Sequence, residues 1–205
     1  MNLPNKLSVL RLCLIPVFMI TFYVNFPCHY LVSGLVFAIA ACTDFLDGYI
    51  ARKYNLVTDL GKFLDGCADK VLVLTACILL LDGKLITSDV LPTFIGGTLV
   101  SLILAREILI SCLRMVTAKK GVVIAADRWG KLKTIFQDVS IVILMVAAEL
   151  LPGGALFGVF GDLGLVHNVI YFTGFGLFAV AVVLTVVSGI HYLAVYGNTL
   201  ESKSK

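Results

Sequence analysis

Hydrophobic and polar positions in this chain do not alternate; long uncharged stretches follow one another, separated by short polar joins. A bilayer core about 30 Å thick needs roughly 20 helical residues at about 1.5 Å each. Six stretches reach that length, and the pattern predicts spans at Leu7–Phe26, Tyr30–Arg52, Phe63–Leu81, Val90–Ala118, Gly130–Leu151 and Asn168–Tyr196. Breakers mark several joins: Asn25-Phe26-Pro27 after the first, Asp82-Gly83 after the third, and the glycine-rich stretch from Pro152 to Asn168 between the last two. Lipid offers backbone N–H and C=O groups no partners, so an open sheet edge cannot persist there. The expected fold class is an all-α integral membrane protein with six transmembrane helices. The more polar start, Asn2 to Ser8, is expected to form a short N-terminal interfacial segment before the first span.

Composition agrees with this pattern and removes other classes. The 205 residues are 60% hydrophobic and 14% charged, where soluble domains run at about 45–50% and about 25%; mean hydropathy is +1.02. A water-soluble globule is excluded, and one membrane domain over residues 1–205 is expected. The net charge of +3 is small and the basic residues stand among apolar segments, so no nucleic-acid partner is expected. The six cysteines form no C-x-x-C pair and read as small packing residues. Tyr23 to Cys28 contains no small-residue cleavage site, so the first span reads as retained rather than as a signal peptide.

Basic residues set the orientation. Lys6 and Arg11 lie at the first end, Arg52, Lys53 and Lys62 around the second join, five more from Lys119 to Lys133 around the fourth, and Lys203 and Lys205 at the tail. The opposite joins hold Lys84 alone. By the positive-inside rule both termini and the two basic loops are expected on the cytoplasmic side, in a bacterial-type inner membrane.

Ionised groups inside spans are expensive, so those the sequence keeps there are informative. Asp44 and Asp47 are spaced i,i+3 near the end of the second span, and Asp65 and Asp69 i,i+4 at the start of the third, so each pair shares a helix face. A connecting loop of about ten residues makes the two helices antiparallel neighbours and lets the four carboxylates converge. Unpaired, they would repel one another. An oxygen-only set suits hard divalent cations, Mg²⁺ or Mn²⁺, and the charge count suits two ions. The alternative is that the carboxylates pair with Arg52, Lys62 or Lys70 at the membrane surface.

The spacing Asp44-x-x-Asp47-Gly48-x-x-Ala51-Arg52, then Gly61-x-x-x-Asp65-x-x-x-Asp69, resembles the signature of the CDP-alcohol phosphotransferase family, with every fixed position present. The resemblance implies a CDP-linked lipid as donor, attacked by a second substrate's hydroxyl with release of CMP. It assigns Asp44, Asp47, Asp65 and Asp69 to the metals, with Asp69 also as the general base. It assigns Gly48, Arg52 and Thr58 to the CDP moiety, and Pro4 and Asn5 to a segment near the nucleotide and lipid head group. It also suggests a homodimer, for which the apolar faces of the third and fourth helices are candidate contacts.

The signature leaves the acceptor open. Arg106 and Arg114 are two turns apart on the fourth span, and Lys131 starts the fifth, close to Arg128 and Lys133. Arg106 is deep enough to need an anion, and three cations together suit a phosphate-bearing acceptor. The stretches Ala105 to Arg114 and Trp129 to Thr134 look like those of bacterial phosphatidylglycerophosphate synthases, which implies CDP-diacylglycerol and glycerol 3-phosphate as substrates. Another phosphorylated acceptor, such as inositol phosphate, stays open. So do the readings that Arg106 pairs with Glu107 or Asp138 and that Lys131 or Lys133 anchors topology. Asp138, two turns into the fifth span, is expected to orient one of the nearby cations. Outside this class, intramembrane carboxylates also mark ion pathways, so a divalent-cation transporter is the competing hypothesis.

Overall fold

The computed structural model describes residues 3–54, 59–87, 92–119, 128–151, 156 and 164–201. Among them the extended elements are six helices: α1 (Leu3–Tyr23), α2 (His29–Lys53), α3 (Asp59–Asp82), α4 (Thr93–Lys119), α5 (Arg128–Ala148) and α6 (Gly164–Glu201). Each expected span falls on one of them. Three are long and apolar enough to cross a membrane, over Asn5–Tyr23, Phe94–Met115 and Gly164–Val195. In α2 only His29–Asp44 is a shorter apolar stretch. Helices α3 and α5, of 24 and 21 residues, are long enough but carry ionisable side chains within their length.

Some boundaries differ from expectation. Leu3 to Ser8 continues directly into α1, so the polar start is the helix's first turns and no separate element. Gly164 to Asn168, expected in the last join, belongs to α6, which also runs past Tyr196 to Glu201. The join between α2 and α3 is shorter than ten residues, from Lys53 to Asp59.

The inward face of α1 consists of Asn5, Ser8, Arg11, Ile15, Phe18 and Phe22, all buried and recurring every third or fourth residue. Its first half is polar and its second apolar. This helix packs on both α2 and α3; α3 also meets α4 and α5, α5 meets α2 and α6, and α6 meets α4. Phe18, Phe37, Leu72, Ile103, Leu144 and Phe178 meet in one core to which all six helices contribute.

Within lipid, apolar burial gives little drive to associate, so close contact matters more. At Gly174 on α6, a Cβ would stand 2.9 Å from Ile143 Cγ2 and 3.1 Å from Leu144 Cγ, so the α5–α6 approach depends on the missing side chain. Gly34 on α2 lies against Met145. Gly176, two residues on, faces open space.

One end of the bundle is tied by a helix cap from another element. Cys28 precedes α2 with a left-handed φ of 62° and supplies no side-chain cap. Glu149, buried just beyond α5, accepts hydrogen bonds from the Tyr30 N–H at 2.6 Å and the Leu31 N–H at 3.3 Å.

Candidate active site

Asp44 near the end of α2 and Asp65 near the start of α3 are brought together by a residue of α1. Nη1 of Arg11 donates to Asp44 Oδ1 at 2.6 Å and to Asp65 Oδ1 at 3.2 Å. The arginine is fully buried, whereas the two carboxylate side chains are 41% and 44% exposed. Its Nε donates to the Ala40 carbonyl at 3.2 Å, which pins the guanidinium from behind. Among the described residues the paired cation is therefore Arg11; of the three cations considered from sequence, the side chains of Arg52 and Lys62 lie outside the described residues. Lys70 donates to the Gly66 carbonyl one turn earlier, at 2.9 Å.

Asp44 and Asp65, two of the four carboxylates expected to converge, thus meet at Arg11 of α1, and α2 and α3 also touch directly. Arg11 reads in the sequence as one more cytoplasmic anchor. The signal that separates it from an anchor is the buried polar row it completes with Asn5 and Ser8 at helical spacing.

Asp69, one turn beyond Asp65, faces a cleft of about 660 Å³ between α3, α4 and α5. Arg106 and Arg114 from α4 and Lys131 from α5 line the same cleft. The three cations grouped from sequence therefore share a cavity with the aspartate expected to act as base. Phe63 and Met115 stand at its edge, 64% and 60% exposed, so its rim is apolar on the outer side of the bundle.

Each cation has a distinct setting. Arg106 donates from Nη1 to Glu107 Oε1 at 3.0 Å and from Nη2 to Ser188 Oγ on α6 at 2.7 Å, while its buried Nε makes no hydrogen bond among the described residues. Glu107 also accepts from the Lys133 ammonium, which is buried. The anion beside Arg106 is thus Glu107, one of the two partners considered from sequence. Asp138 does not fill that place: its buried Oδ1 makes no hydrogen bond among the described residues. Arg114 donates to the Tyr192 hydroxyl on α6 at 2.8 Å and lies over that ring, 5.5 Å from its centroid. Lys131 is exposed at the cleft. Ser188 and Tyr192 escaped the sequence reading because hydropathy does not tell which face of α6 meets α4.

Thr58 lies outside the described residues, as do the side chains of Pro4, Asp47 and Arg52. Asn5 is buried on the inward face of α1, and Gly48 is half-buried on α2, one turn beyond Asp44. Among the described residues no three His, Cys, Asp or Glu side chains converge on one point. The chemistry of the donor set nonetheless suits hard cations. Two half-exposed carboxylates lie within reach of a single nitrogen, and all candidate donors are oxygen.

A helical bundle with carboxylates from two helices beside a cationic cleft has the layout of a membrane transferase that handles phosphate groups. The chain belongs to the CDP-alcohol phosphatidyltransferase family, whose model matches residues 1–187. It is 37% identical to the CDP-diacylglycerol--glycerol-3-phosphate 3-phosphatidyltransferase of Bacillus subtilis (strain 168), over 99% of both chains. A protein of the same name from Salmonella typhimurium is 36% identical over 98% of both chains, and one from Rickettsia bellii is 43% identical over 72% of this chain and 77% of its own. Family membership and the apolar helices identify an integral membrane protein, and the cation-transport alternative is set aside. Enzymes of the family are generally dependent on divalent metal.

Proposed function

We propose that this chain is a phosphatidyltransferase joining CDP-diacylglycerol and glycerol 3-phosphate to give phosphatidylglycerol phosphate and CMP, the reaction named for its relatives. The observation that carries this reading is the shared cleft, in which Asp69 faces Arg106, Arg114 and Lys131. Asp44, Asp47, Asp65 and Asp69 would hold two Mg²⁺ or Mn²⁺ ions. When bound, these ions neutralise the pyrophosphate and polarise the phosphorus under attack.

The remaining steps belong to the protein's own residues. Arg106, Arg114 and Lys131 take the acceptor's phosphate, which aims its distal hydroxyl at the Asp69 side of the cleft. Asp69 accepts the hydroxyl proton while the oxygen forms a bond to the lipid-side phosphorus. The bond from that phosphorus to the bridging oxygen breaks, and CMP leaves with the oxygen. Gly48, Arg52, Thr58, Pro4 and Asn5 are assigned to the CDP half. Gly48 lacks a side chain beside the ligand pair, so it permits close approach of the nucleotide to the helix backbone.

Read as six spans, the chain would have both termini on one side, and its basic loops would put that side and the active site in the cytoplasm. The apolar rim at Phe63 and Met115 supports a sideways opening through which acyl chains stay in lipid. A homodimer would use exposed Ile78, Phe94 and Leu102 on α3 and α4, toward the other end of the bundle, leaving this rim open.

CMP release by the purified protein with Mg²⁺ tests the reading, comparing glycerol 3-phosphate with inositol phosphate, glycerol and serine. Release is expected with glycerol 3-phosphate alone, and Asp69→Asn is expected to lower the rate by about 10²–10⁴-fold. Release supported only by another acceptor would overturn the assignment of the three cations while keeping the donor site.

A further inference from the structure

Arg11 is not needed to explain either substrate, yet it is the one fully buried arginine among the described residues and it holds two of the expected metal ligands. Resting on the metal reading above, we infer that Arg11 is a built-in counter-cation of the carboxylate cluster: it stabilises the metal-free protein and weakens the hold on divalent ions, so that they remain exchangeable. Three observations point this way. One nitrogen contacts both Asp44 and Asp65, so the positive charge sits between the carboxylates of two helices. The Ala40 carbonyl behind Nε, with Thr43 Oγ1 at 3.5 Å, fixes the guanidinium in place, so its charge stays beside any arriving ion. Each aspartate side chain remains over 40% exposed, so an ion can approach the pair from the water side.

The electrostatic consequence has a definite sign. Without metal, clustered carboxylates repel, and a fixed cation relieves the repulsion. With metal, the same cation repels the ions. A residue that only packed α1, or only oriented the carboxylates, would strengthen both states or favour the loaded one. The counter-cation favours the empty state. Arg11 is accordingly a positioning residue acting through Asp44 and Asp65, not a group that touches the reacting atoms.

The test compares wild type, Arg11→Gln and Arg11→Lys in detergent. Mn²⁺ affinity is read from the electron paramagnetic resonance signal of the free ion, and thermal unfolding is followed with EDTA and with excess Mn²⁺. Arg11→Gln is expected to unfold at lower temperature in EDTA, to regain most of the loss in Mn²⁺, and to bind Mn²⁺ about tenfold more tightly, the scale a unit charge exerts on a divalent ion a few ångströms away even in water. Arg11→Lys, which keeps the charge, is expected to return Mn²⁺ affinity to near the wild-type value.

Unchanged or weaker Mn²⁺ binding by Arg11→Gln would overturn the inference while leaving the metal site intact. Absence of Mn²⁺ binding by the wild type would overturn the metal reading and the inference together. If Arg11→Gln does not survive extraction in EDTA, extraction with Mn²⁺ is expected to recover a folded, monodisperse protein. Failure to recover it would again overturn the inference.

Discussion

Glu107 sets the charge balance of the cleft before any substrate enters. It holds Arg106 on one side and Lys133 on the other, so two of the cations near the cleft have a resident anion. Arg114 and Lys131 are exposed at the cleft, and an incoming phosphate meets them first. Arg114 is steadied from behind by the Tyr192 hydroxyl and ring. Tyr192→Phe keeps the ring and removes the hydroxyl that accepts from Arg114. It is expected to raise the KM for glycerol 3-phosphate by roughly three- to tenfold, the scale of the net contribution of one hydrogen bond, while the KM for CDP-diacylglycerol stays unchanged. Steady-state CMP release with each substrate varied in turn checks this; an equal rise in both constants would show that the tyrosine supports the fold rather than the acceptor site.

The helices themselves were largely legible, because a span must be both long and uncharged and the joins carry Pro, Gly and Asn. What escaped was of another physical kind. The end of α6 continues through Gly197 to Glu201, a stretch with no apolar signal once it leaves the expected span. The glycines near residue 164 read as breakers, yet the helix starts there. The carboxylate spacing was plain, but the partner that α1 inserts was not, because hydropathy says which residues are in lipid and not which helices touch.

Glu149 shows the same limit: its value comes from the start of α2, far away in sequence. Two α2 N–H groups depend on it, since Cys28 supplies no side-chain cap. Glu149→Ala is expected to destabilise the bundle by about 1–3 kcal/mol, the cost of buried donors left without an acceptor. The readout is a lower thermal midpoint in detergent, with CMP release at low temperature close to wild type because the change lies at the end of the bundle away from Asp69.

At the scale of the whole molecule, function depends on keeping the two ends of the bundle different. Arg11, Asp44, Asp65, Asp69, Glu107 and Lys131 join the start of α1, the end of α2, the start of α3, the lower half of α4 and the start of α5 at one end. Tyr23 with Asp82 at 2.9 Å, Glu149 with the start of α2, and the Lys84 turn occupy the other. In the proposed orientation, water-soluble glycerol 3-phosphate reaches the cleft from the first end, which the positive-inside rule would put in the cytoplasm. Single cysteines at positions 84 and 131, in a chain otherwise cleared of cysteine, make this sidedness measurable. A membrane-impermeant maleimide is expected to label Lys131→Cys only in inside-out vesicles, with glycerol 3-phosphate slowing the reaction, and Lys84→Cys only in right-side-out ones. Labelling of both from the same side would break the six-span topology. Labelling of each from the side opposite to expectation would preserve the bundle but place the cleft away from the cytoplasmic pool of its acceptor.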